Sequence, residues 1–245
     1  MLLKFSAAAA LALSVWGCGA REGARGQGAA SAAAQRPSGA RPEPAAARQK
    51  PSSGSEFLDR LAEAAVERTT REVRYDPTYF VIPYPNGDVP EAVGVCTDEV
   101  IRSYRKLGVD LQKEVHEDIS KNFSAYPKKW GLKKPDTNID HRRVPNLMVF
   151  FERQGASLPV TQNARDYKPG DVVTWDLGGG LTHTGLVVNV FSEADPERLL
   201  IVHNIGAGPK MEDVLFNWTI TGHYRYEGPK PAGGGSQGTT GRGRS

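Results

Sequence analysis

Large apolar side chains are missing from a long stretch near the start of this chain of 245 residues. Residues 19–56 contain no Val, Ile, Leu, Met, Phe, Tyr or Trp, and they consist mainly of Ala, Gly, Pro, Ser, Gln and Arg. Such a composition cannot bury enough apolar surface to offset the entropy of ordering the chain. We therefore predict a disordered tether over residues 19–54, one folded domain over residues 55–227 and a disordered tail over residues 228–245.

Long hydrophobic runs are also lacking, which excludes a polytopic membrane protein. The apolar run at residues 7–15 follows Lys4 and is too short to span a bilayer as a helix, as in a secretory signal. Residues 1–18 resemble a lipoprotein-type signal peptide in which Cys18 becomes the acylated terminus. We expect an exported lipoprotein anchored to a membrane of the bacterial envelope and facing the periplasm. An ordinary signal peptide, with Cys18 incidental, is the alternative.

Cysteine is scarce, because the chain contains only two. With Cys18 in the leader, Cys96 has no intramolecular partner for a disulfide in an oxidising compartment. A lone thiol in such a compartment is either buried and inert or chemically useful.

The order of the secondary-structure signals predicts an α+β domain with an antiparallel sheet. Helical spacing covers residues 56–73, and further helices begin at Cys96, at Leu111 with Asp110 as its cap, and near Pro145. A short strand is predicted at residues 80–82. The later strands are predicted at residues 171–175, 183–191, 199–204 and 222–226.

The position of Cys96 at a helix start suggests a nucleophile. Unpaired N–H groups and the helix dipole favour a thiolate there, so we expect a lowered pKa for the thiol. A nucleophile needs a base, and the base needs a group that orients it. His183 opens one predicted strand and His203 ends the next, so adjacent antiparallel strands can bring them together. Asn204 is the competing orienting residue, on the opposite face of its strand.

Four features in this order resemble NlpC-type papain-like cysteine peptidases. They are a cysteine that opens a helix, Gly-Asp-x-Val-x-Trp (residues 170–175), His-Thr-Gly-Leu-Val-Val (183–188) and Ile-Val-His (201–203). Those enzymes cut amide bonds in cell-wall peptides with a Cys-His dyad and a third polar residue. The resemblance implies Cys96 as nucleophile, His183 as base and His203 as orienting residue. It also implies that Tyr84 lies near the nucleophile.

Longer stretches resemble the bacterial family called domain of unknown function 1287. They are Tyr-Pro-Asn-Gly-Asp-Val-Pro (84–90), Gly-Val-Cys-Thr-Asp (94–98), Asp-Thr-Asn-Ile-Asp-His-Arg-Arg-Val-Pro-Asn-Leu (136–147) and His-Asn-Ile-Gly-Ala-Gly (203–208). The resemblance extends over residues 75–226. It implies a papain-like (NlpC-type) fold, with the helix that bears the nucleophile packed on the antiparallel sheet, and it names no substrate.

We therefore expect a cysteine amidase or endopeptidase acting on peptidoglycan peptides as a monomer. The alternatives are a papain-like acyltransferase and a lipoprotein that binds cell-wall peptides without cutting them. No cofactor is expected, and the sequence has neither an HExxH motif nor the clustered Cys and His spacing of a metal site. The lysines around Trp130 are expected to be a solvated loop rather than a nucleic-acid site.

One polar run has two competing interpretations. Asp140, His141, Arg142 and Arg143 could hold a substrate carboxylate through an arginine fork. The same residues could instead fix their own loop through ion pairs.

Overall fold

The computed structural model describes residues 49–229. The signal and lipidation expectations at residues 1–18, most of the tether and nearly all of the tail lie outside the described residues. At the end of the expected tether, the backbone N–H and the hydroxyl of Ser53 both donate to Asp59 Oδ1 at 2.7 Å. Ser53, which lies within the expected tether, is therefore held against Asp59.

Helices dominate the first half of the described chain and strands the second. The helices are α1 (Glu56–Arg68), α2 (Cys96–Lys106), α3 (Leu111–Lys121) and α4 (Val144–Arg153). The strands are β1 (Arg74–Tyr75), β2 (Val93–Gly94), β3 (Val172–Asp176), β4 (Thr182–Phe191), β5 (Leu199–Asn204), β6 (Pro209–Glu212) and β7 (Thr219–Tyr224).

Strands β3 to β7 form one antiparallel sheet in the order β6-β5-β4-β3-β7, while β1 and β2 pair in parallel. Helices α1 and α2 both pack against β4, the central strand. The expected fold class, α+β with the cysteine-bearing helix packed on an antiparallel sheet, is confirmed.

The sheet has a hydrophobic core on each face, because its central strands are buried on both sides. Leu186 and Val188 of β4 belong to the core that includes the helices, with Leu61, Ile101 and Phe151. Val187 points into a second core with Trp175, Ile201 and Leu215. This alternation follows the period of two along a strand and places His183, four residues before Val187, on the side of the second core.

Three local predictions differ from the structure. Helix α1 ends at Arg68 rather than at residue 73, because Thr69, Thr70 and Arg71 donate to carbonyls three residues back in successive turns. No strand forms at residues 80–82, where the Ile82 N–H donates to Asn138 Oδ1 at 2.9 Å. The short strands β1, β2 and β6 were not predicted. Within residues 49–229, no helix is both long and apolar enough to cross a membrane.

Candidate active site

Cys96 is the first residue of α2, as predicted. It follows β2 directly, and Val95 between them is extended. Val95 has no side chain that could cap the helix, so Asp98 closes the first turn instead. Its Oδ2 accepts the Val95 N–H at 2.7 Å. The position of the thiol therefore depends on this carboxylate.

Arg142 locks the same helix start from the long segment between α3 and α4. Its Nε and Nη2 donate to the two oxygens of Asp98 at 2.8 and 2.9 Å, and both side chains are 2% exposed. The hydroxyl of Thr97 donates to the Arg142 carbonyl at 3.1 Å. A bidentate, fully buried pair of this kind fixes both distance and angle. The segment between α3 and α4 thus holds the N-terminus of α2 in place.

The structure brings His183 and His203 into contact across adjacent antiparallel strands. His183 Nε2 lies 2.8 Å from His203 Nδ1. Gly185 pairs directly with His203 across β4 and β5, and a Cβ at Gly185 would lie 2.8 Å from the Val202 carbonyl oxygen. Only glycine allows the two strands to approach this closely next to the histidine pair.

The Cys96 thiol lies against the start of β4, where it accepts a hydrogen bond from the Thr184 backbone N–H. Thr184 follows His183 in the chain, so the thiol lies near the backbone of β4 next to His183. Because His183 Nε2 contacts His203, Nδ1 is the ring nitrogen of His183 that remains for another partner.

The expected lowering of the thiol pKa is wrong. Burial raises the pKa of Cys96 to about 12, and the negative charge of Asp98 adds to the effect. Backbone N–H groups, including that of Thr184, act in the opposite direction but are outweighed. Burial also lowers the pKa of His183 to about 3, and His203 contributes in the same direction. At pH 7 the site therefore contains a neutral thiol and a neutral imidazole.

Two tryptophans enclose the histidine pair. The ring of Trp175 lies 5.8 Å from that of His183, and Trp218 lies 5.8 Å from His183 and 6.0 Å from His203. These rings exclude water around the imidazoles, which explains why burial dominates their pKa values.

Two polar residues at the site escaped the sequence analysis. Glu212 on β6 accepts a hydrogen bond from His203 Nε2 with an Oε2 distance of 2.8 Å. Tyr75 on β1 lies close enough for the Cys96 charge to raise its pKa, although burial is the larger cause. Neither residue carries a motif, since both reach the site through short strands whose pairing is not readable locally.

Tyr84 does not lie beside the nucleophile. Its ring contacts His116 on α3 with centroids 5.1 Å apart, and the charges that influence its pKa belong to Glu117, Lys113 and Asp110. The tyrosine next to the thiol is Tyr75, which β1 brings beside Gly94.

Asn204 is not bonded to the catalytic candidates. Its Oδ1 accepts the Gly206 N–H at 3.1 Å, and its buried Nδ2 has no partner among the described residues. The geometry therefore favours His203 over Asn204 as the residue that orients His183.

Three residues of the polar run, Asp140, Arg142 and Arg143, are engaged in contacts within the protein. Asp140, His141 and Arg142 are buried, and Arg142 is committed to Asp98. The Arg143 guanidinium lies 4.1 Å from the centre of the Trp130 ring and 3.9 Å from Asp140 Oδ1. The loop-fixing interpretation matches these contacts, and the carboxylate-binding one does not.

Buried histidines make stability depend on pH in a defined direction. The pKa of His141 is lowered by burial to about 3, so between pH 3 and about 6.5 the unfolded state binds more protons than the folded state. The contribution of neutral His141 to the free energy of unfolding is complete above the pKa that His141 has in the unfolded state. It is lost as the pH falls towards the pKa that His141 has in the folded state. We expect the parent to lose about 2 kcal/mol more than His141→Gln between pH 7 and pH 5, measured by urea unfolding. Equal losses in the two proteins would contradict this account.

No group of three or more His, Cys, Asp and Glu side chains within residues 49–229 is arranged to hold a metal ion.

Comparisons with known proteins give a family. Residues 62–226 match the family described as domain of unknown function (DUF1287). The uncharacterised protein YijF of Escherichia coli (strain K12) is 52% identical over 166 residues, which cover 68% of this chain and 80% of that protein. A solved structure of NlpC1 from Trichomonas vaginalis aligns with a TM-score of 0.39 and 14% identity, over 72% of this chain and 46% of that one. The chain belongs to the DUF1287 family.

Proposed function

We propose that the protein is a cysteine amidase or endopeptidase that hydrolyses amide bonds in peptidoglycan peptides. One observation carries the proposal: the 2.8 Å contact between His183 Nε2 and His203 Nδ1, placed next to a thiol at a helix start. Acyl transfer by a thiol needs a nucleophile, a base and a group that orients the base.

In the first half of the reaction, the Cys96 sulfur attacks the amide carbonyl while its proton passes to His183 Nδ1. Both groups start neutral, so proton transfer accompanies attack and does not precede it as a stable ion pair. Backbone N–H groups at the start of α2 are positioned to receive the oxyanion. His183 then protonates the leaving nitrogen as the C–N bond breaks, which leaves an acyl-thioester on Cys96.

In the second half, His183 takes a proton from water and the resulting hydroxide attacks the thioester. The C–S bond breaks, and the proton returns to the sulfur. His203 keeps the His183 ring in one orientation through both halves, as the third member of a triad does.

The substrate class and the location rest on the sequence. The motifs around Cys96, His183 and His203 resemble those of NlpC-type peptidases, and residues 1–18 resemble a lipoprotein signal. We accordingly place the enzyme on an envelope membrane, with Cys18 as its lipid anchor and cell-wall peptides as its substrates. Mass analysis of the mature N-terminus tests the anchor, since an unmodified terminus at another residue would remove it.

The experiment that tests the activity is incubation of residues 19–245, which lack the signal and Cys18, with purified peptidoglycan. Mass analysis should find fragments hydrolysed at an amide bond. Fragments joined to an added amine would indicate an acyltransferase instead. Co-sedimentation with peptidoglycan without fragment release would indicate a binding protein and overturn the proposal.

The two neighbours His203 and Asn204 should respond differently to substitution. His183→Ala should remove activity almost completely because base and nucleophile act as a unit. His203→Ala should lower kcat by about 100-fold, because the imidazole of His183 then loses its fixed orientation. Asn204→Ala should keep kcat within about threefold of the parent, since Asn204 binds only the Gly206 N–H. A larger loss in Asn204→Ala than in His203→Ala would reverse the assignment.

A further inference from the structure

A carboxylate closes the outer end of the histidine pair. His203 is fully buried, with Nδ1 on His183 and Nε2 at 2.8 Å from Glu212 Oε2. Glu212 extends from β6, the edge strand next to β5, and its side chain is 47% exposed. The line His183, His203, Glu212 therefore runs from the buried histidine pair to solvent.

The chemistry of these partners fixes where the protons lie. An ionised carboxylate only accepts hydrogen bonds, so His203 Nε2 must carry a proton. Neutral His203 then has an unprotonated Nδ1, which can only accept. His183 Nε2 must therefore be the donor, and the neutral His183 ring has its lone pair on Nδ1. That is the nitrogen that the proposed mechanism uses to take the thiol proton.

We propose that Glu212 is a positioning residue that sets the tautomer of His203 and, through it, keeps the Nδ1 of His183 unprotonated and basic. The inference rests on the proposed function for its catalytic consequence, whereas the tautomer itself is independent of any substrate. Without an acceptor at Nε2, His203 could carry its proton on Nδ1 and turn His183 into the opposite tautomer, which has no base facing the thiol.

The negative charge of Glu212 also favours a proton on Nε2 of His203. Burial lowers the pKa of His203, while the hydrogen bond and negative charge of Glu212 offset part of that decrease. The groups that face His203 are His183 from β4, Glu212 from β6 and the uncharged ring of Trp218. His183 faces His203, the Cys96 region of α2, and the rings of Trp175 and Trp218. Glu212 is thus the one carboxylate, among the described residues, that faces this pair directly.

Most exposed ion pairs contribute little to stability. The competing explanation is that Glu212 forms only such a surface pair with His203. The difference here is that the partner is a fully buried imidazole with both ring nitrogens engaged. A surface pair would leave the state of His183 unchanged when Glu212 is removed, whereas a positioning residue would not.

The test compares Glu212→Gln and Glu212→Leu in residues 19–245, which lack the signal and Cys18. Glutamine keeps an acceptor oxygen but loses the charge, and leucine loses both. Nitrogen-15 NMR of the histidine rings should show the Nε2–H tautomer of His183 in the parent and in Glu212→Gln. In Glu212→Leu we expect a mixture of tautomers.

Activity provides the second measurement. For the release of fragments from peptidoglycan, kcat should fall about 10-fold in Glu212→Gln and about 100-fold in Glu212→Leu, with KM nearly unchanged. The acid limb of the kcat profile should move to lower pH in both. Glu193→Gln is the matched control, because it removes the same charge from an exposed side chain between β4 and β5 and should match the parent.

The outcomes are separable. An unchanged His183 tautomer in folded Glu212→Leu overturns the positioning role, whatever the activity. A changed tautomer together with full activity in that variant shows that the His183 tautomer does not matter for catalysis, and it overturns the catalytic part. If peptidoglycan is not cleaved by the parent, the function fails while the tautomer result still decides the structural claim.

Discussion

Replacement of Cys96 by alanine should abolish fragment release from peptidoglycan while the domain stays folded. The proposed reaction forms a thioester on this sulfur, and no other described cysteine could replace it. We expect a loss of at least about 10⁴-fold in kcat, the scale seen when a nucleophile is removed from a catalytic unit. Fragment analysis by mass spectrometry measures the activity, and thermal unfolding measures the fold.

A second substitution separates chemistry from packing. Cys96→Ser keeps nearly the same volume and can accept the Thr184 N–H, but its hydroxyl is a much weaker acid than the thiol. Cys96→Ser should be as inactive as Cys96→Ala, and its free energy of unfolding should be at least as large as that of Cys96→Ala. Activity near the parent level in either variant would refute the catalytic proposal.

The largest effect on stability should come from Arg142→Met. This change leaves the Asp98 carboxylate buried without its cation, which typically costs about 3–5 kcal/mol. Because Asp98 also receives the Val95 N–H, the first turn of α2 and the thiol it carries should lose their fixed position. Urea unfolding gives the free energy, and fragment release should decrease even at temperatures where the variant is folded.

Two comparisons test that explanation. Adding Asp98→Asn to Arg142→Met removes the orphaned charge and keeps an acceptor for Val95, so it should restore part of the lost stability. Arg165→Met breaks an ion pair with Glu197 whose side chains are 67% and 52% exposed, and it should cost less than about 1 kcal/mol. Similar losses in Arg142→Met and Arg165→Met would mean that the buried pair has no special role.

The sequence predicts the parts of the site that depend on local signals. The α2 start at Cys96, the Asp110 cap of α3 and the strands with His183 and His203 all follow from periodicity, capping and turn residues. The side chain of Asp110 accepts the Gln112 N–H, as an N-cap does. Pairing β4 with β5 required only that neighbouring strands be antiparallel, and the 2.8 Å histidine contact follows from it.

What the sequence does not predict depends on distant contacts. Strand β6 has only four residues, Pro-Lys-Met-Glu, too few for a period of two to be recognised, so nothing local marks Glu212 as the partner of a buried histidine. Tyr75 reaches the thiol through a two-residue parallel pair, which has no sequence signature. Solvation of the thiol also depends on distant contacts. A helix start lowers the pKa of a thiol that is exposed to water, but the packing around Cys96 raises the pKa instead.

The buried resting state of Cys96 also bears on chemical damage. Peroxides and disulfides react with thiolates, and oxidation of a sulfur beyond sulfenic acid is largely irreversible. A thiol that is 5% exposed, with its pKa raised to about 12 by burial, presents almost no thiolate to such reagents. Proton transfer that accompanies attack confines the reactive form to the moment when a substrate carbonyl is in place. The same packing that makes this sulfur a poor nucleophile at rest therefore preserves an unpaired cysteine under oxidising conditions.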